Sequence, residues 1–258
     1  IERAEELLSL MDEMHSQGSE LRPDCYSYTT VMNGWSKSNR PDKTRQTRRL
    51  LETMLQRYFA GQKEVQPSNV AFTAIIDAAF HSPRLGTTNH PDSTNEFASE
   101  VELDDPFSYA VQSYHELMTD KYKLGVSPDH FLFSTMLKAT HVHTRPDSVE
   151  RRQIVDQVFQ DACLGGHVSA MVLYALQGAC PNQNMLEKLL GQPFEGINSI
   201  KDLPHSWSHR VPNDNRFQRL RNAPNHRNHN KTSRSKSRMK AIGVEKENKP
   251  ITQTQKQI

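Results

Sequence analysis

Three hydroxyl side chains recur in this 258-residue chain at the same place in a repeated phrase. They are Thr29 in Pro23-Asp24-Cys25-Tyr26-Ser27-Tyr28-Thr29, Thr73 in Pro67-Ser68-Asn69-Val70-Ala71-Phe72-Thr73, and Ser134 in Pro128-Asp129-His130-Phe131-Leu132-Phe133-Ser134. A hydroxyl donates and accepts hydrogen bonds, whereas an ionised carboxylate only accepts. Such groups, repeated in one register, suit polar recognition of a long partner along an array. The Asp, Ser or Asp after each proline lies close to a helix start, where it can cap free N–H groups.

Other chemistry is thinly represented. His141-Val142-His143 has the residue types of a metal pair, but i and i+2 point apart on a helix. At a helix C-terminus the two fit better against last-turn carbonyls and the dipole. Cys25, Cys163 and Cys180 have neither metal nor redox spacing and suit buried thiols of a reducing compartment. There is no Gly-rich phosphate loop, no His-Glu-x-x-His phrase and no carboxylate cluster suited to a catalytic centre. The chain is therefore expected to need no cofactor or metal and to act without catalysis.

Helices must carry the repeated hydroxyls. After each phrase the apolar residues fall at i, i+3, i+4 and i+7: Tyr28, Val31, Met32 and Trp35, then Phe72, Ile75, Ile76 and Ala79, then Phe133, Met136 and Leu137, with Thr140 last. That is one face of an amphipathic helix of about three turns. A second helix is expected between phrases, marked by Leu7, Leu8, Met11 and Met14, then Leu50, Leu51 and Met54, then Ala110, Val111, Tyr114 and Leu117, then Val155, Val158, Phe159 and Ala162. Breakers at Asn39-Arg40-Pro41-Asp42, after Ser82-Pro83, and at Arg145-Pro146-Asp147 separate the members of each pair. One helical hairpin cannot bury its apolar face alone, so the expected fold is an all-α solenoid of stacked helix-turn-helix hairpins.

Through Tyr28 to Lys37, Phe72 to Ala78, Phe133 to Ala139, and the second-helix phrase Arg3 to Met14, the chain resembles the pentatricopeptide repeat (PPR) family. The resemblance covers about residues 1–165: a partial repeat 1–24, then 25–68, 69–129 and 130–166. The intervals between phrases, 44 and 61 positions, exceed the family's unit. Most of the second excess lies in 84–106, which carries Asp92, Glu96, Glu100, Glu102, Asp104 and Asp105 against one Arg. It is expected to be a disordered acidic loop, or a loop for protein partners.

The resemblance implies single-stranded RNA as the partner, one base per repeat. Thr29, Thr73 and Ser134 would be the main base selectors. The residue after the closing proline would be the second, pairing Thr29 with Ser68 and Thr73 with Asp129, the latter a guanine reader. Asp24 would close a repeat whose first helix is absent, and Gly165-Gly166 replaces the closing dipeptide after Ser134. Lys37, Arg45, Arg48, Arg49 and Lys138 are the candidate phosphate contacts. The resemblance also implies a mitochondrion or chloroplast, and a role in transcript processing, stability or translation. The chain starts at Ile1, inside a second-helix segment, and is similar to the C-terminal part of a longer member.

The net charge of +2 hides a split. From His205 onward, thirteen Lys and Arg face Asp214, Glu245 and Glu247, while the rest of the chain carries 19 against 27 Asp and Glu. Residues 204–258, Trp207 included, are expected to form a disordered basic tail that adds phosphate affinity or meets protein partners. Residues 167–203 are expected to cap the last hairpin, through a helix from Val168 to Leu176 with Met171 at its selector place and another through Asn184 to Leu190. No stretch is long and apolar enough to span a membrane. The acidic body favours a second reading, an α-solenoid protein–protein scaffold without RNA binding.

Overall fold

A computed structural model describes residues 1–84, 105–197 and 199–211. Most of the expected acidic loop and the tail beyond residue 211 lie outside the described residues. Among those described there is no strand, and ten α-helices pack together: α1 (Glu2–Ser16), α2 (Cys25–Lys37), α3 (Lys43–Phe59), α4 (Asn69–Phe80), α5 (Pro106–Met118), α6 (His130–His143), α7 (Val149–Gly165), α8 (Ala170–Ala179), α9 (Gln183–Leu190) and α10 (His205–Ser208).

The repeated phrase starts helices by local chemistry. Asp24 is extended and its carboxylate accepts the Ser27 N–H at 2.8 Å, while the Ser27 hydroxyl faces the Asp24 N–H, a reciprocal cap. Asp129 accepts the Leu132 N–H at 3.0 Å. Ser68 holds the same extended place without a side-chain cap. Ser169 opens α8 in the same way, accepting the Val172 N–H at 3.3 Å. Val168-Ser169 is thus a fourth copy of the opening dipeptide, and this moves the register of α8. Tyr174, not Met171, stands where Thr29 stands in α2. Gly166, left-handed at φ 73°, ends α7, and Val168 stands where the other copies have proline, so the shifted register carries no sequence signal.

Alternate helices form two layers. The front helices α2, α4, α6 and α8 lie side by side in chain order. Behind them α3 packs on α2 and α4, α5 on α4 and α6, and α7 on α6 and α8, while α1 packs on α2. A front helix is covered on both flanks and from behind, so most of its circumference must be apolar. In α4 the residues Ala71, Phe72, Ala74, Ile75, Ile76, Ala78 and Ala79 are all buried. Alanine at four of those places lets the neighbouring helices approach closely.

The expected tail boundary at 204 is corrected. α10 docks on α7, where Trp207 sets its ring edge-on to Phe159 with centroids 5.6 Å apart. The Val168 N–H donates to the Trp207 carbonyl at 2.7 Å, and the Arg210 N–H to the Gly166 carbonyl at 3.0 Å. Polar composition concealed one aromatic anchor that ties residues 205–211 to the helical body.

Candidate ligand groove

Packing on three sides leaves each front helix a narrow stripe toward solvent. On α2 the stripe is Tyr26, Thr30, Asn33 and Lys37; on α4 it is Val70, Thr73 and Asp77; on α6 it is Phe131, Thr135 and Lys138. Each stripe begins with a large apolar residue at the same register, and Tyr26, Val70 and Phe131 are all exposed, Tyr26 by 82%. A groove of about 310 Å³ opens between these stripes. Val70 and Phe131 line it, with Thr73, Asp129 and Thr135 from α4 and the start of α6, and Asn33, Lys37 and Asp77 on the α2 side.

Thr73 and Asp129 therefore meet in one groove. The Thr73 hydroxyl donates to the Asn69 carbonyl at 2.9 Å, so its proton is used and its lone pairs remain. Asp129 spends one carboxylate oxygen on the Leu132 N–H, and the other has no partner among the described residues. Two acceptors held on rigid helix starts suit a planar ligand edge that offers two donors.

The other expected selectors are placed differently. Thr29 is only 7% exposed and its hydroxyl donates to the Cys25 carbonyl at 2.8 Å. Ser134 is fully buried and donates to the Phe131 carbonyl at 3.1 Å. Each lies on the buried side of its stripe, and the residue one step on, Thr30 or Thr135, takes the outward place. Ser134 is thereby corrected from base selector to buried helix residue. Ser68 is half-buried and receives the Cys25 thiol at 3.6 Å. Asp24 is committed to its cap, and hydrogen bonds from Ser27 hold its carboxyl below the usual range.

The five candidate phosphate contacts divide between layers. Lys37 and Lys138 stand on the front stripes; Lys37 is paired with Asp77 at 2.5 Å, and Lys138 has no ion pair among the described residues. Arg45, Arg48 and Arg49 belong to α3, behind the front layer. Arg45 is exposed there. Arg49 grips Glu5 of α1 with contacts of 2.7 and 2.9 Å. Arg48 is 5% exposed, its guanidinium held by Glu116 and Glu52, which removes it from the phosphate set.

Val70, Phe131, Thr135, Asn33 and Asp77 escaped the sequence reading as groove residues, and Tyr26 as a stripe residue. The signal was present. Each phrase places a large apolar residue two positions before the first core aromatic, roughly 200° around the helix from it. An apolar residue there cannot join the core stripe.

Buried basic groups hold the C-terminal ends of the front helices. The Lys43 ammonium donates to the Ser38 and His81 carbonyls at 3.2 and 2.7 Å. His143 donates to the Ala79 carbonyl at 2.7 Å and stacks on Phe107. Arg151, 2% exposed, donates to the Ala179 and Gly178 carbonyls at 2.7 and 3.2 Å and to His141 Nδ1. These contacts satisfy orphan carbonyls across helices and fix the relative heights of the stripes. They also give His141 and His143 separate tasks. Among the described residues no three His, Cys, Asp or Glu side chains converge as metal ligands.

No protein-family model, curated protein or solved structure matches this chain.

Proposed function

We propose that the chain is a PPR-type α-solenoid that binds single-stranded RNA along the front stripes, acting by occupancy and without chemistry of its own. The observation that carries this reading is the groove itself. Exposed Val70 and Phe131 flank Thr73 and Asp129, so apolar surfaces for a base face stand beside acceptors for its edge. Bases stack on such surfaces whatever their identity, and hydrogen bonds to the edge add preference. Two acceptors favour guanine, whose N1–H and exocyclic amine are both donors. The basic residues beyond His205 supply sequence-independent phosphate attraction. The family resemblance puts such a protein in a mitochondrion or chloroplast, in transcript processing, stability or translation.

The test is binding of the full chain to single-stranded and duplex RNA across a salt series. Single strands are expected to bind more tightly, and Phe131→Ala to weaken them by about 1–3 kcal/mol while leaving stability nearly unchanged. A second reading, a protein–protein scaffold, draws on the exposed Leu7, Leu10 and Met14 of α1. It gains if duplex and single strands bind alike and Phe131→Ala is silent.

A further inference from the structure

The stripes carry one contact that an RNA-binding groove does not need. Lys37, in the last turn of α2, reaches across to Asp77 of α4 at 2.5 Å. Asp77 also accepts the Ser36 hydroxyl at 2.9 Å, and its ring neighbour His81 stands 3.4 Å from the other oxygen. The ammonium side chain is 62% exposed and the carboxylate 21% exposed, and both residues line the groove. Asp77 lies one turn beyond Thr73 on the same face. A carboxylate held there repels a polyanion and neutralises one of the two front-stripe lysines, Lys37 and Lys138.

We propose that Asp77 is an affinity brake: its carboxylate holds Lys37 in place of an RNA phosphate. This rests on the RNA reading. A partly exposed ion pair contributes little to stability and is screened by salt, so removing the carboxylate frees Lys37 for a phosphate at little cost to the fold. The brake lowers non-selective affinity through the backbone and leaves the Thr73–Asp129 station to decide which strand is retained. Phosphate contacts position a strand and base contacts specify it, so weakening the first raises the weight of the second.

The test uses the full chain and a single-stranded oligouridine containing one guanine, titrated at several salt concentrations. Asp77→Asn is expected to tighten binding about three- to tenfold at low salt and to steepen the salt slope by about 0.7, the value of one added phosphate contact on a single strand. Lys37→Gln should weaken the Asp77→Asn protein more than it weakens the unaltered protein, because only the former has its ammonium free. Thermal unfolding of each variant checks that it is folded, and Asp77→Ser, which also removes the charge and should tighten binding in the same way, replaces Asp77→Asn if that variant unfolds. Binding of Asp77→Asn that is unchanged or weaker overturns the brake and makes Asp77 a ligand contact or a bystander. Failure of the unaltered protein to bind overturns the RNA reading, and the brake with it.

Discussion

Arg48 of α3 and Glu116 of α5 share two hydrogen bonds, at 2.6 and 3.0 Å, with both side chains buried. Burial alone would raise the Glu116 carboxyl, but hydrogen bonds from Arg48, Lys121 and Gln112 outweigh it and bring it down to about 2. The pair ties successive back helices together. It explains why an arginine that looks available for phosphate in the sequence has a structural task.

Arg48→Met leaves the buried Glu116 carboxylate with only Lys121 and Gln112 and should cost about 3 kcal/mol of stability at neutral pH. Arg48→Met combined with Glu116→Leu should recover most of that loss. The carboxylate's contribution is complete above the ordinary glutamate range and is lost as pH falls through about 2. Urea unfolding at neutral and acid pH measures both effects. An Arg48→Met protein of unchanged stability but weakened RNA binding would return Arg48 to the phosphate set.

His143 and His167 titrate in the opposite sense to a salt-bridged histidine. Burial pulls both imidazoles below their ordinary range, and Arg210 adds to the effect at His167. The stability they confer as neutral rings is present above about pH 6.5 and is lost as pH falls through that value toward the lower folded pKa. Tm should therefore decline on acidification from neutral pH. His143→Gln, which can still donate to the Ala79 carbonyl, should make the decline shallower. An equally steep decline in that variant would show that His143 does not drive it.

Trp207→Ala should destabilise the body by about 2 kcal/mol, because the ring is partly buried against Phe159 and its loss opens the α7 surface. Denaturant unfolding checks this. A silent substitution would restore the tail boundary at 204.

Ser134→Ala should leave RNA affinity and base preference unaltered, since the hydroxyl is buried and bonded to its own helix. Thr135→Ala should weaken binding by about 1 kcal/mol, the worth of one hydrogen bond. Fluorescence anisotropy with a labelled single strand separates the two, and the reverse ranking would restore Ser134 as the selector.

The helices were legible because the phrase joins three signals that agree: a proline stop, a capping side chain and an apolar stripe. Asp24 and Asp129 cap as their positions suggest. The groove was legible only in part. Helical spacing located the stripe of Tyr28, Phe72 and Phe133, but a one-residue rotation decides whether Ser134 or Thr135 faces outward, and that rotation is set by how close α4 and α8 approach α6. The fate of Arg48 depended on α5, a helix 65 and more residues further on. The α8 register was lost for a different reason: Ser169 caps without a preceding proline, so the phrase was not recognisable there.

The proposed RNA binding turns on whether Thr73 and Asp129 read one base from their shared groove. The most direct measurement compares oligouridine strands carrying a single guanine, adenine or cytosine, bound by the full chain and by Asp129→Asn. A preference for guanine of about 1–3 kcal/mol is expected, lost in Asp129→Asn while binding to plain oligouridine is retained. Equal binding of all strands by the unaltered protein, or a guanine preference that survives Asp129→Asn, would contradict it.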